Sequence, residues 1–222
     1  YSDEDYPATM MLDIDGAAWT PMMNYNGDIE SIQFLRESVL YAAHHLNPNS
    51  NVLIIGTGGG RDILAALAFE QRSVLGIELN PLMRHMVAEH YADYSGQPYT
   101  QPKVRVILDE ARSRLHQINR KFGIIQLSLI DTFSLNAAGG FVFSENNLYT
   151  RQAFQQYYRH LTNDGILSIT RYFVPDYPVE ILRTLNLMRS AWEAEGVDSI
   201  LDRVLVLKVG MSCTVLIKKT KY

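Results

Sequence analysis

The run Val52-Leu53-Ile54-Ile55-Gly56-Thr57-Gly58-Gly59-Gly60-Arg61-Asp62 constrains this chain more than any other stretch. Four apolar residues enter a glycine cluster, and Ile63-Leu64-Ala65-Ala66-Leu67-Ala68 then opens a helical pattern. The order predicts a buried strand, a tight turn and a helix. In an open α/β sheet such a crevice binds nucleotide-like ligands, because backbone lacking Cβ atoms can approach them closely. The helix N-terminus adds free N–H groups and partial positive charge, which suit a carboxylate or phosphate. The spacing also excludes ligands. A dinucleotide fingerprint starting at Gly56 needs glycine or alanine at position 61, where Arg61 stands, and no Gly-Lys-Ser/Thr follows to make a phosphate-binding P-loop. Nicotinamide dinucleotides and nucleoside triphosphates are therefore disfavoured.

A second element completes the crevice. Ser73-Val74-Leu75-Gly76-Ile77-Glu78 is a short apolar run ending in a carboxylate, 22 residues after Gly56. An acid at that distance is the usual partner of a ribose, accepting hydrogen bonds from its hydroxyls; the plainer alternative is a solvated loop charge. Asn80-Pro81 follows, then Leu82, Met83, Met86 and Val87 at helical spacing.

Composition narrows the partners. A chain of 222 residues, 47% hydrophobic and 20% charged, can bury a large core as one domain with or without a small appendage. The formal net charge of −4 provides no basic footprint, so nucleic acid is not an expected partner. The single cysteine, Cys213, cannot close an internal disulfide and reads as a buried thiol of a reducing, cytoplasmic compartment. No apolar run approaches membrane-spanning length and no signal peptide is visible. The start at Tyr1 predicts a piece of something longer.

The remaining pattern predicts a doubly wound α/β sheet. Residues 8–23 alternate loosely around the turn dipeptide Asp15-Gly16, predicting a hairpin appendage over 1–27 ahead of a Rossmann-like domain over 28–222. Apolar groups at Ile29, Ile32, Leu35, Val39 and Leu40 predict a helix over 28–46. Strands are expected at 52–56, 73–78, 103–108, 122–130 and 166–172, and helices at 60–69, 81–91, 111–119, 151–161 and 178–195. Asn163-Asp164-Gly165 reads as a turn that ends a helix. The runs 203–209 and 212–219 flank Gly210-Met211, which predicts an antiparallel hairpin with an inverted last strand. His44-His45 reads as a helix end meeting its dipole, and His85 and His90 do not share a helix face, so no metal site is expected.

With these elements the chain resembles the class I S-adenosylmethionine-dependent transferases, and within them the spermidine synthase family. The family's glycine motif reads roughly V-L-I-I-G-G-G-D-G-G, which stands here as Val52 to Arg61. Met11-Leu12-Asp13-Ile14-Asp15-Gly16 resembles the family's N-terminal hairpin. The resemblance implies S-adenosylmethionine, or its decarboxylated form, bound by Gly56, Thr57, Gly58, Gly59, Gly60, Glu78 and Ser128. Asp109, Glu110 and Ala111 match the family's adenine motif. It places Asn24, Tyr25 and Asp28 with the substrates; the long loop 139–150, expected to lie over the site, adds Tyr149 and Glu145, the latter as a partner of Arg or a cationic substrate or as a charge capping the helix at 151. Tyr91, Tyr94 and Tyr99 read as packing groups or as adenine-pocket walls. It implies a small-molecule acceptor, admits a homodimer, and makes a parent protein with a membrane-spanning region an expectation.

Two departures bear on the reaction. Polyamine synthases carry an acid in the glycine motif that holds the donor's amino end; here that position is Gly59, expected to leave room for the carboxylate of an intact donor, with Arg61 nearby. They also end strand four with D-x-x-D-P, whereas this chain has Ser128-Leu129-Ile130-Asp131-Thr132. A serine cannot accept an amine's proton near neutral pH, which leaves Asp131 as the expected catalytic carboxylate, orienting or deprotonating the acceptor. Methyl transfer to a small acceptor, aminopropyl transfer to a polyamine, and a non-catalytic nucleoside-binding module are the three functions compatible with these residues.

Overall fold

The computed structural model describes residues 6–14, 18–130 and 147–222. A two-stranded antiparallel sheet, β1 (Thr9–Ile14) and β2 (Ala18–Met23), precedes the main sheet. Two 3-10 segments, Ile29–Glu37 and Val39–Tyr41, lead into α1 (Ala42–Leu46). Strands and helices then alternate: β3 (Asn51–Ile55), α2 (Arg61–Ala68), β4 (Ser73–Glu78), α3 (Pro81–His85), α4 (Ala92–Ser95), β5 (Val104–Leu108), α5 (Ala111–Gln117) and β6 (Phe122–Ser128). After the undescribed stretch come α6 (Arg151–His160), β7 (Leu161–Tyr172), α7 (Val179–Ala194), β8 (Val204–Val209) and β9 (Ser212–Lys218).

The seven strands run in the order β5-β4-β3-β6-β7-β9-β8. Pairings among β5, β4, β3, β6 and β7 are parallel, and β9 runs antiparallel to both β7 and β8. The chain winds outward from β3 to β5, then returns to β6 on the other side of β3. That reversal is a topological switch point, and the crevice at the carboxyl ends of the strands opens there. The fold is the expected doubly wound sheet with its inverted hairpin.

The central strands are apolar throughout because both faces are covered. Leu53 and Ile55 join Ile125, Leu127, Phe154, Tyr157 and Trp192 in the core on one face. Val52 and Ile54 pack on the other, against Ile63 and Ala66 of α2. Leu12 and Met22 of the N-terminal hairpin belong to that second cluster, so the appendage shares a core with the sheet. Cys213 is a free, buried thiol on β9.

Several elements differ from expectation. The helix expected over 28–46 is instead two 3-10 segments and a short α1. Ile29, Ile32 and Leu35 recur every three residues, which is the 3-10 period, and extended Ser38 ends the first segment. The helix expected over 81–91 stops at His85 and continues as a π turn over Met86–His90. Asn163-Asp164-Gly165 is not a helix-ending turn. It lies inside β7, where the pairing with β6 shifts between Phe122 and Ile124 and the extra residues bulge. Among the described residues no helix is long and apolar enough to cross a membrane.

Candidate functional site

A cavity of about 550 Å3 opens at the switch point, a size ordinary for small-molecule sites. Gly56, Thr57 and Gly58 after β3, Glu78 at the end of β4 and Ser128 at the end of β6 all line it. So do Trp19, Thr20 and Pro21 of the hairpin, Tyr41 before α1, and Arg61 and Asp62 of α2.

The glycine loop is held from three directions. Glu78 is buried; its Oε2 accepts the Gly58 N–H at 2.9 Å and the Thr57 hydroxyl at 3.1 Å. Its Oε1 accepts the Asn80 N–H at 2.9 Å. The carboxylate is thus fixed with one edge toward the cavity. Tyr99 is buried behind the loop, its hydroxyl meeting Thr57 Oγ1 at 2.9 Å and the Gly58 carbonyl. Burial first, and then the charge of Glu78, raise the Tyr99 hydroxyl well above the ordinary tyrosine range. Tyr99 is therefore a packing and clamping group of the loop, a role carried by contacts 42 residues away in sequence. From the front, Thr20 Oγ1 accepts the Gly59 N–H at 3.0 Å.

Gly59 offers no room to a ligand carboxylate. A Cβ built there would lie 2.1 Å from the Pro21 carbonyl oxygen, so the glycine admits the hairpin's own backbone. The Gly60 N–H is likewise committed, to the Thr57 carbonyl at 2.9 Å, and Gly60 turns into α2 at φ +88°, a conformation that favours glycine. Neither Gly59 nor Gly60 lines the cavity.

The residues at the end of β5 are engaged elsewhere. The Asp109 N–H donates to the Glu78 carbonyl at 2.9 Å, which sets this turn beside Glu78. The Asp109 carboxylate pairs with Arg114 at 2.6 Å and accepts the Glu110 N–H. Glu110 caps α5, accepting from Arg112 and Ser113 N–H groups at 3.0 and 2.8 Å. Burial alone would raise its pKa, but those N–H groups outweigh it and hold the carboxyl below the ordinary value. Ala111 is buried in the core.

The remaining sequence-predicted residues stand apart from the cavity. Tyr25 is buried beside Ile32 and Leu35, the Asn24 N–H donates to the Ala8 carbonyl, and Asp28 caps the first 3-10 segment. Tyr149 packs on Phe154, with the Arg171 guanidinium 4.5 Å from its ring. Asp131 and Glu145 lie outside the described residues. Among the described residues no group of three or more histidine, cysteine or acidic side chains could hold a metal.

By sequence, Asp62 is an acid in the first turn of a helix, a position that suits the helix dipole. In the fold it is a buried carboxylate in the cavity wall, 8% exposed, accepting the Tyr41 hydroxyl at 3.0 Å. The cap position of α2 is Gly60. His44 does not meet a helix dipole as a cation: it is fully buried, bonded to Gln126 and Gln71, and burial brings its pKa down to about 4.

No family model matches the chain. Over 124 residues it is 27% identical to the polyamine aminopropyltransferase of Korarchaeum cryptofilum, an overlap of 56% of this chain and 35% of that protein. The chain thus matches about a third of the length of that curated relative. A spermidine synthase solved with a transition-state analogue superposes with TM-score 0.57 at 17% identity, over 96% of this chain and 65% of that one. The spermidine synthase of Thermotoga maritima gives 0.55 at 15%, over 100% and 72%. A putative S-adenosylmethionine-dependent methyltransferase of Streptococcus mutans gives 0.55 at 10%, over 96% and 56%. Strand order, hairpin and glycine crevice together give this chain the fold shared by the spermidine synthases and the S-adenosylmethionine-dependent methyltransferases.

Proposed function

We propose that the chain is a group transferase whose donor is S-adenosylmethionine, most simply passing its methyl group to a small acceptor. The carrying observation is Glu78, a buried carboxylate at the end of β4 that both fixes the glycine loop and lines the cavity. In this reading the ribose hydroxyls donate to Glu78 and the adenine reaches toward the turn at Asp109 and Glu110. The methionine end runs past Ser128 toward Arg61. Arg61 favours the intact donor: it lines the cavity, and its guanidinium has no hydrogen-bond or ion-pair partner among the described residues. A donor carboxylate would give it one, whereas a decarboxylated donor would set a second cation beside it. The methyl transfer itself needs alignment of the nucleophile with the S–CH3 bond, where positioning can supply on the order of 7–11 kcal/mol.

Aminopropyl transfer is the second reading, favoured by the likeness to a polyamine aminopropyltransferase. Calorimetry with S-adenosylmethionine, S-adenosylhomocysteine and decarboxylated S-adenosylmethionine separates the two. Tighter binding of the intact compounds is expected, with Glu78→Gln weakening them by about 1.5–3 kcal/mol, the worth of hydrogen bonds to a charged group. Tighter binding of the decarboxylated donor would favour aminopropyl transfer. No heat with any of the three, alongside binding of a nicotinamide dinucleotide, would overturn both.

A further inference from the structure

The cavity wall holds a carboxylate that donor binding leaves unused. Asp62 stands at the second position of α2, under Tyr41 and beside the end of β6. Besides the Tyr41 hydroxyl, Ser128 and Gln126 direct hydrogen-bonding groups at it. Behind these runs a row of buried polar side chains whose direction is fixed at its far end. The Ser50 N–H donates to Gln71 Oε1 at 2.6 Å, so the Gln71 amide nitrogen must be the donor toward His44 Nδ1 at 3.1 Å. His44 then carries its proton on Nε2 and gives it to Gln126 Oε1 at 2.8 Å. Gln126 Nε2 donates to Ser128 Oγ at 3.0 Å, which leaves the Ser128 proton for Asp62. Each member donates forward, and the row ends on an acceptor.

A row polarised in this way stabilises an anion at its end. Desolvation nevertheless outweighs the donors, and the Asp62 carboxyl is held above the ordinary aspartate range. The combination of a polar backing and a raised proton affinity, at the wall of a ligand cavity, marks a group suited to exchange a proton there. Ser128, at the end of β6, offers only a hydroxyl, which cannot take up a proton near neutrality. Glu78, across the cavity, is committed to the glycine loop and the Asn80 N–H, and in the donor reading above its remaining edge is taken by the ribose. The walls around Asp62 also carry Trp19, Tyr41 and Tyr172 rings, with Glu37 among the lining residues; carboxylates and aromatic faces together suit an ammonium group.

Resting on the transferase reading above, we propose that Asp62 is the general base of the reaction and that the acceptor is a primary amine, protonated in solution. The ammonium gives one proton to the Asp62 carboxylate, which becomes a neutral acid. The freed lone pair attacks the S-methyl carbon; the C–N bond forms as the C–S bond breaks, and the C–S pair stays on sulfur as a neutral thioether. The product leaves as a protonated secondary amine. In the second reading the attacked carbon is that of the aminopropyl group, and the proton takes the same path.

Among the described residues, the titratable and charged groups facing Asp62 are Tyr41 and Arg61; β6 presents the uncharged Ser128 and Gln126 with neutral His44 behind them, and Glu37, Glu78 and Tyr172 stand on the other walls. The test uses the whole chain with labelled S-adenosylmethionine and, separately, labelled decarboxylated donor. The acceptors are propylamine, ethanolamine, putrescine and spermidine. Asp62→Asn is expected to lower kcat by about 10²–10⁴-fold, the usual worth of a general base, with S-adenosylhomocysteine affinity within about threefold and the acidic limb of the kcat/KM profile gone. Tyr41→Phe removes one donor to the carboxylate and is expected to move that limb to higher pH; it decides the matter should Asp62→Asn not fold. An Asp62 that only stabilises the helix dipole would leave the limb in place. Turnover kept within about fivefold in Asp62→Asn would overturn the proposal, as would a limb that survives Asp62→Asn but disappears in Asp131→Asn. So would a wild type that binds S-adenosylhomocysteine yet turns over none of the four amines. A wild type that binds no adenosyl ligand sinks the donor reading, and the proposal with it.

Discussion

At the scale of single residues, burial decides what the ionisable groups can do. His44 is fully buried, and its ring is held near pKa 4 against an ordinary 6.5. The folded chain therefore binds fewer protons than the unfolded chain between those values. The sign follows: this contribution to stability is complete above pH 6.5 and is lost as pH falls toward 4. Nitrogen-15 spectra are expected to show a neutral His44 ring with its proton on Nε2 throughout pH 5–8. A ring that is cationic at pH 6 would contradict the hydrogen-bond direction assigned to the row ending at Asp62. None of this is legible in the local sequence, where His44-His45 at a helix end suggests a surface cation.

At the scale of elements, caps and periods explain where the sequence could be read and where it misled. The strands β3, β4 and β6 are legible because short apolar runs stop at glycine or a polar residue. Thr150 caps α6 through the Ala153 N–H at 3.2 Å, and Asn80 caps α3 through the Leu82 N–H at 2.9 Å, as their residue types suggest. Glu110 was harder to place, since an acid after a strand suits a ligand as well as a helix start. Its two N–H partners make it a cap, so Glu110→Ala is expected to cost about 0.5–2 kcal/mol in chemical denaturation. With its carboxyl held below the ordinary 4.5, the contribution is present above that value and is lost as pH falls below it. Equal denaturation midpoints for variant and wild type at pH 7 would return Glu110 to a ligand role. The bulged stretch at Asn163-Asp164-Gly165 misled for a different reason: turn residues also accommodate a bulge within a strand, and only pairing with β6 distinguishes the two.

At the scale of the whole molecule, the hairpin and the glycine loop act as one unit. Thr20 holds the Gly59 N–H, Pro21 fills the space above Gly59, and Leu12 and Met22 enter the core beside α2. Gly59→Ala must lift the hairpin, since its Cβ meets backbone rather than a movable side chain. The expected cost is about 1–3 kcal/mol, as for overpacking elsewhere, with faster proteolysis in β1 and β2 and weaker binding of S-adenosylhomocysteine. Unchanged proteolysis would show that the hairpin is not seated on Gly59. By itself the sequence determined the strand–turn–helix crevice, the acid at the end of β4 and the doubly wound order, because apolar runs, glycines and chain distance are local or nearly so. Only the tertiary structure decided that Gly59 faces backbone, that Tyr99 clamps the loop, and that Asp62 rather than Ser128 puts a carboxylate at this edge of the cavity. Those groups meet partners as far as 42 residues away in sequence, and the row behind Asp62 joins His44 to Gln126 across 82. No periodicity encodes a contact of that kind; it exists only once the sheet has brought its strand ends together.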